Sequence, residues 1–244
     1  MSGQIVNPKY PWMPDGELVA NFAIGNLREN FLVWLNVNGR IHAETLLTSV
    51  GASAGMAAQG AVWARVRKGE KFPENGFLSM QTKTGELFYF GDTLNSYLVQ
   101  QDPYVMPLWS FVAAAVIQNG LPQEQLPDAG IYFQRAASTA GTPEYHDLTV
   151  PPENKPMVPP RKALELLWPR VADILRFQGG PGLAAGKSVD QEHWSTILAI
   201  VAQQLIVQTK AVLTPQLAFH LVMQSAIIAS KYDASKLTFG AEKK

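Results

Sequence analysis

The sequence predicts an all-α fold, an irregular multi-helix bundle of seven or eight helices with one small β-hairpin at about residues 77–90. Three observations lead there. Apolar residues recur at helical spacing along most of the chain. Strict alternation, the mark of a half-buried strand, occurs in one place, where Leu78, Met80 and Thr82 interleave with Phe77, Ser79 and Gln81. Residues that start or stop helices fall between the periodic stretches: Asn38-Gly39, Gly120, Gly141 and Thr214-Pro215.

The first segment reads as extended. Pro8, Pro11 and Pro14 recur every third residue with Tyr10 and Trp12 between them, which matches a polyproline II turn. Such an arm either packs on its own domain through the two aromatics or docks on a protein partner; local packing is the simpler expectation. A helix is expected from near Asp15, carrying Leu18, Phe22, Leu27, Phe31, Trp34 and Leu35 and ending at Asn38-Gly39. A second helix runs from about His42 to Arg67. Its middle, Gly51 to Gly60, is almost all small residues, so another helix must pack closely to offset the low helicity of glycine. Lys83-Thr84-Gly85 is a three-residue hairpin loop, after which Leu87 to Phe90 returns. Asp92 is placed to cap a short helix bearing Leu94, Tyr97 and Leu98.

Further helices are expected from about Pro107 to Asn119, with proline in the first turn, and from about Asp128 to Ala140. Five prolines between Pro151 and Pro160 block both helix and central strand. The chain is therefore expected to be one domain over 1–244, with two lobes at 15–142 and 161–232 allowed by the proline-rich segment 143–160. In the last third, Arg161 to Phe177 carries an apolar stripe with Pro169 as a kink or break, and a glycine-rich loop follows from Gly179 to Gly186. The helix beginning near Trp194 is apolar nearly all round, as a central helix is. Thr214-Pro215 caps the last one, which runs to about Lys231.

Composition narrows the functional classes. Lys plus Arg and Asp plus Glu are 20 each, so nothing supplies the cationic surplus that nucleic-acid binding needs. The densest basic run, Arg65, Arg67, Lys68 and Lys71, is diluted by Glu70 and Glu74 and reads as a solvated helix end. The absence of cysteine removes disulfides, thiolate nucleophiles and cysteine metal sites. Met1 to Pro14 has no basic-then-apolar leader pattern, and neither uncharged stretch (Thr45–Ala64 or Trp194–Thr209) is apolar enough for a span; a cytoplasmic protein without membrane contact is the expectation.

Several segments mimic catalytic motifs. Gly51-Ala52-Ser53-Ala54-Gly55 fits the G-x-S-x-G nucleophile elbow, with Ser53 as nucleophile and His146 or His193 as base. That motif requires a strand before the serine and a helix after it, inside an alternating βα chain that this sequence lacks. Gly180 to Ser188 ends like a P-loop, but Pro181 stands where the first glycine belongs and has no N–H to offer a phosphate. His42-Ala43-Glu44 has the H-x-E of zinc deaminases without their cysteines. Asp190, Glu192 and His193 lack the spacing of a metal site and read as the start of a helix. No cofactor and no metal are expected.

His220, with Gln224 one turn on, and Gln203, Gln204 and Gln208 on the preceding helix can converge if the two helices pair. His220, Gln224 and Gln204 are then candidates for a small-ligand pocket, or for a hydrogen-bonded core network that fixes helix register. The leading expectation is a non-enzymatic protein that acts through protein–protein contact and self-associates. The alternatives are a ligand-binding or sensing domain built around His220 and Gln224, and a serine hydrolase built on Ser53.

Overall fold

The computed structural model describes residues 17–83, 85–99, 106–177 and 188–237. The proline-rich arm and the glycine-rich P-loop mimic lie outside them. Among the described residues the fold is all-α, as the sequence predicts, with the expected hairpin and a second, shorter one. Its eight α-helices are α1 (Glu17–Trp34), α2 (Ala43–Arg67), α3 (Asp92–Ser96), α4 (Leu108–Gln118), α5 (Gly130–Thr139), α6 (Pro160–Leu175), α7 (Trp194–Thr209) and α8 (Pro215–Ala229). The strands are β1 (Asn36–Val37), β2 (Arg40–Ile41), β3 (Leu78–Gln81) and β4 (Leu87–Phe90), paired antiparallel as β1–β2 and β3–β4.

The axis of the fold is α2. Its side chains are buried almost without interruption from Glu44 to Ala64, and it packs on α6, α7 and α8. The small residues make this possible. A methyl group on Gly55 would stand 2.8 Å from the Ala226 carbonyl carbon and 2.9 Å from its Cα, and one on Gly51 would stand 2.5 Å from the Val222 carbonyl oxygen. The two glycines, four apart on one face, let α2 lie backbone to backbone against α8. One continuous cluster of buried side chains runs from Val19 on α1 to Leu237.

Five details depart from the sequence reading or sharpen it. Asn38-Gly39 does not cap α1 but turns the β1–β2 hairpin, with φ of 53° and 80° at the two residues; this is the left-handed pair a two-residue I′ hairpin requires. Leu18 and Phe22 lie outside the core, because the buried face of α1 is Val19, Ala20, Ala23, Ile24, Leu27 and Phe31. The residue before α3 is Gly91, at φ 132°, and Asp92 is already helical, so no side chain caps that helix. Pro107 likewise precedes α4 in an extended conformation rather than sitting in its first turn. Pro169 lies within α6, which continues as helix on both sides of it.

Residues 143–160 cross the surface as a strap with 3-10 turns at Pro143–His146 and Pro152–Asn154. Tyr145 is buried and donates its hydroxyl to the Ile228 carbonyl at 2.9 Å. The Met157 N–H donates to Thr45 Oγ1 at 2.9 Å, and Asn154 donates to Glu44 Oε1 at 3.0 Å. These bonds tie the strap to both α8 and the start of α2.

Candidate functional site

The Gly51–Gly55 segment sits in the middle of α2, so helix and not strand leads into Ser53. Ser53 is 1% exposed, and its hydroxyl donates to the Ser49 carbonyl one turn back at 2.9 Å. The strained turn that exposes an elbow serine is absent, and the glycines that suggested the motif serve helix packing instead. Neither histidine proposed as its base bonds to it. His146 is held by the Tyr232 hydroxyl at 2.9 Å and stacks on that ring, and burial, with Arg161 adding to it, pushes its pKa down. His193 ends the 3-10 turn Gln191–His193 ahead of α7.

The other mimics resolve as helix-terminal devices. His42 is the N-cap of α2, accepting from the Thr45 N–H through Nδ1 at 3.3 Å. Asp190 caps the turn before α7 by accepting from the Glu192 N–H at 3.2 Å. Lys68 bridges Asp190 and Glu192 at 2.9 and 2.6 Å, and Arg65 pairs with Glu70. The basic end of α2 is thus met by carboxylates. Among the described residues no group of three or more His, Asp or Glu side chains could hold a metal ion, and no helix is long and apolar enough to cross a membrane.

His220 lines an open groove of about 420 Å³ between the strap and the turn joining α7 to α8. Thr149, Val150, Pro151, Asn154, Thr214 and Gln216 form much of its wall, and none of its lining residues carries a formal charge apart from a protonated His220. Tyr132 on α5 meets His220 Nδ1 at 2.6 Å with its ring edge-on. Burial pushes the histidine pKa down and the tyrosine pKa up, so the pair is a hydrogen bond between two uncharged groups. The sequence offers no sign of this pair, whose members stand 88 positions apart.

Gln224 does not enter that groove. It is 3% exposed and clamps the strap: its Oε1 accepts from the Thr149 N–H at 2.7 Å and its Nε2 donates to the Thr149 carbonyl at 3.3 Å. One side chain thereby satisfies both main-chain polar groups of Thr149. Gln204 is half-buried on α7, and its Oε1 has no hydrogen-bond partner among the described residues. The polar residues expected to converge on a ligand are therefore spread over separate environments, and His220 alone of the three faces the groove.

Two features escaped the sequence reading. β3 is exposed along its whole length, with Leu78 at 44% and Met80 at 58%. Its register with β4, together with the Thr82 N–H bonded to the Glu86 carbonyl and the Tyr89 N–H bonded to the Lys231 carbonyl, fixes which way its backbone groups point. Met80 and Leu78 bond inward to β4, whereas the N–H and C=O groups of Ser79 and Gln81 point outward. Those outward groups have no hydrogen-bond partner among the described residues.

Lys231, directly after α8, is the second feature. It is 1% exposed, its Nζ donates to Asn95 Oδ1 at 2.8 Å, and the Phe90 and Phe133 ring centroids lie 5.5 and 5.4 Å away. Burial pushes its pKa down to about 7. A lysine after an apolar helix reads as a solvated C-terminal cation, so nothing local signals its burial. Compared with protein-family models, with curated proteins and with solved structures, the chain matches none.

Proposed function

We propose that the chain is a non-enzymatic cytoplasmic contact protein that self-associates, and that the free edge of β3 is the element on which a second copy adds. The observation that carries this reading is the outer edge at Ser79 and Gln81, which has no hydrogen-bond partner among the described residues and is flanked by exposed Leu78 and Met80. A strand edge of this kind is a template for another strand. Proline and charge, which ordinarily blunt such edges, are absent from Leu78–Gln81. A two-fold axis through Met80 would set Ser79 against Gln81 of the second copy, so the outward groups of each strand pair with those of the other. Light scattering across micromolar concentrations tests the proposal. Ser79→Pro removes an N–H that faces outward and leaves the β3–β4 ladder intact; together with Met80→Lys it should shift a wild-type dimer to monomer. A wild-type chain that stays monomeric, or a dimer indifferent to both substitutions, would defeat the reading.

A second reading is supported by the Tyr132–His220 pair. It makes the groove a site for a small uncharged ligand, with the His220 imidazole, Asn154 and Gln216 as hydrogen-bonding groups. Ligand-observed NMR with neutral amide and alcohol fragments tests it. Fragments that bind wild type and Tyr132→Phe/His220→Leu equally would remove the groove from consideration.

A further inference from the structure

We propose that Lys231 is a proton-operated latch at the seam between the β3–β4 hairpin and α5, sealed while its amine is uncharged and drawn open when the amine is charged. Three elements close over the amine: β4 supplies Phe90, α3 supplies Asn95 and α5 supplies Phe133. The hydrogen-bond acceptor that the amine meets among the described residues is the neutral Asn95 side-chain carbonyl. The ionisable groups on the packed elements are engaged elsewhere. Glu86, before β4, pairs with Arg161, and Asp92 on α3 accepts from Asn75. Arg135 on α5 donates to the Glu144 carbonyl, and Asp233 holds Ser235. Tyr89 and Tyr132 stay neutral because burial raises both. Desolvation therefore acts on Lys231 with no carboxylate to oppose it.

A charged amine in that position gains from the two ring faces, but it recovers its hydration only by leaving the pocket that Phe90 and Phe133 border. Both rings are half-buried, so the path to water is short. The hairpin is coupled to the event through the main chain: the Tyr89 N–H donates to the Lys231 carbonyl at 2.9 Å, and Phe88 bridges to Tyr232. Further along the seam, Gly141 at the end of α5 sits so close that a methyl on it would stand 2.6 Å from Thr82 Cγ2. Loosening at Lys231 is thus transmitted along the hairpin whose outer edge is β3. The latch rests on the contact reading only for its consequence, control of that edge; the seam exists without it.

The sign follows from linkage. The open state binds a proton at the ordinary lysine pKa of 10.5 and the sealed state at about 7, so opening is promoted as pH falls from 10.5 and levels off below 7. With those values the opening constant rises about fiftyfold from pH 9 to pH 7 and less than about twofold more by pH 6. Hydrogen exchange of the Tyr89 and Phe88 amides, expressed as protection relative to intrinsic rates and measured where light scattering shows monomer, reads this directly. Wild type should lose protection between pH 9 and pH 7 and then plateau, and Lys231→Met should abolish the slope. NMR titration of the Lys231 side chain in the wild-type chain serves if that variant does not fold. Flat protection in wild type, an unchanged slope in Lys231→Met, or an amine that titrates near 10.5 overturns the latch. A monomeric chain that keeps the sloped profile retains the latch and loses the contact reading.

Discussion

Replacing Gly55 with alanine separates the two meanings of the Gly51–Gly55 segment. Glycine inside a helix costs about 0.5–1 kcal/mol relative to alanine, so on propensity alone the change stabilises α2. The structure opposes that gain. The new methyl would sit 2.8 Å from the Ala226 carbonyl carbon and 2.9 Å from its Cα, and closer still to the oxygen, where ordinary contact begins near 3.4 Å. Backbone cannot swing aside as a flexible side chain can, so α2 and α8 must part by roughly 1 Å over a region packed at crystal-like density. Overpacking of this kind costs about 1–3 kcal/mol, and the lost contacts along the Gly51 and Ser225 interface put the expected value at the upper end. The net prediction for Gly55→Ala is a loss of about 2 kcal/mol, or roughly 4–8 °C in Tm for a chain of this size. Gly25→Ala on α1 is the control. A methyl there meets nothing within 4 Å, so only the propensity gain remains. Urea titrations of the two variants should place their stabilities about 3 kcal/mol apart. A Gly55→Ala protein as stable as Gly25→Ala would mean that the backbones of α2 and α8 do not touch, and the architecture described above would be wrong.

The remaining predictions follow the same geometry. Gln224→Leu leaves the Thr149 N–H and C=O without their partner and should cost about 1–3 kcal/mol, with faster proteolysis in the strap near residue 149 as the second readout. Ser53→Ala removes a hydroxyl that bonds only within its own helix, so stability should change by less than about 1 kcal/mol, and wild type should resist serine-directed acylating probes. His220 has its folded pKa held below the ordinary 6.5 by burial, so the unfolded chain takes up its proton first. Stability should therefore fall as pH drops through 6.5 toward the folded pKa, be constant below it, and be fully regained above 6.5; His220→Leu should flatten that part of the profile relative to wild type in urea melts between pH 7.5 and 5.

What the sequence discloses and what it conceals divides along the range of the interaction. Thr214-Pro215, Gly120 and Gly141 mark helix ends because capping, ring constraint and positive φ act within a few residues. The β3–β4 hairpin was legible for the same reason, in the alternation of Leu78 to Thr82 and in Gly85 at φ 87°. Asn38-Gly39 was misread because one left-handed pair serves both a helix stop and an I′ turn, and the distinction rests on whether the short flanking pieces pair. Leu18 and Phe22 have the right spacing for a core stripe, yet which stripe of α1 is buried depends on where α7 and α2 lie. The candidate site fared as its parts predict. His220 faces a groove as the sequence allowed, but its partner Tyr132, the Gln224–Thr149 clamp and the burial of Lys231 under Phe90 and Phe133 join positions 75 or more apart.

The charge economy of the chain has a source other than an interface. Charged residues are 16% of the sequence, and burial of surface in a subunit contact is one way to account for so few. The structure supplies another. The core stretches of α2, α7 and α8 are buried on nearly every face, so these segments hold small and apolar residues where surface helices hold charged ones. Composition therefore stops arguing for self-association once the core is known. The same step moves the weight onto β3: Leu78 and Met80 are exposed on a strand whose outer backbone groups have no partner among the described residues, and neither proline nor charge guards it. That edge, and not the overall scarcity of charge, is where the sequence departs from what folding alone demands.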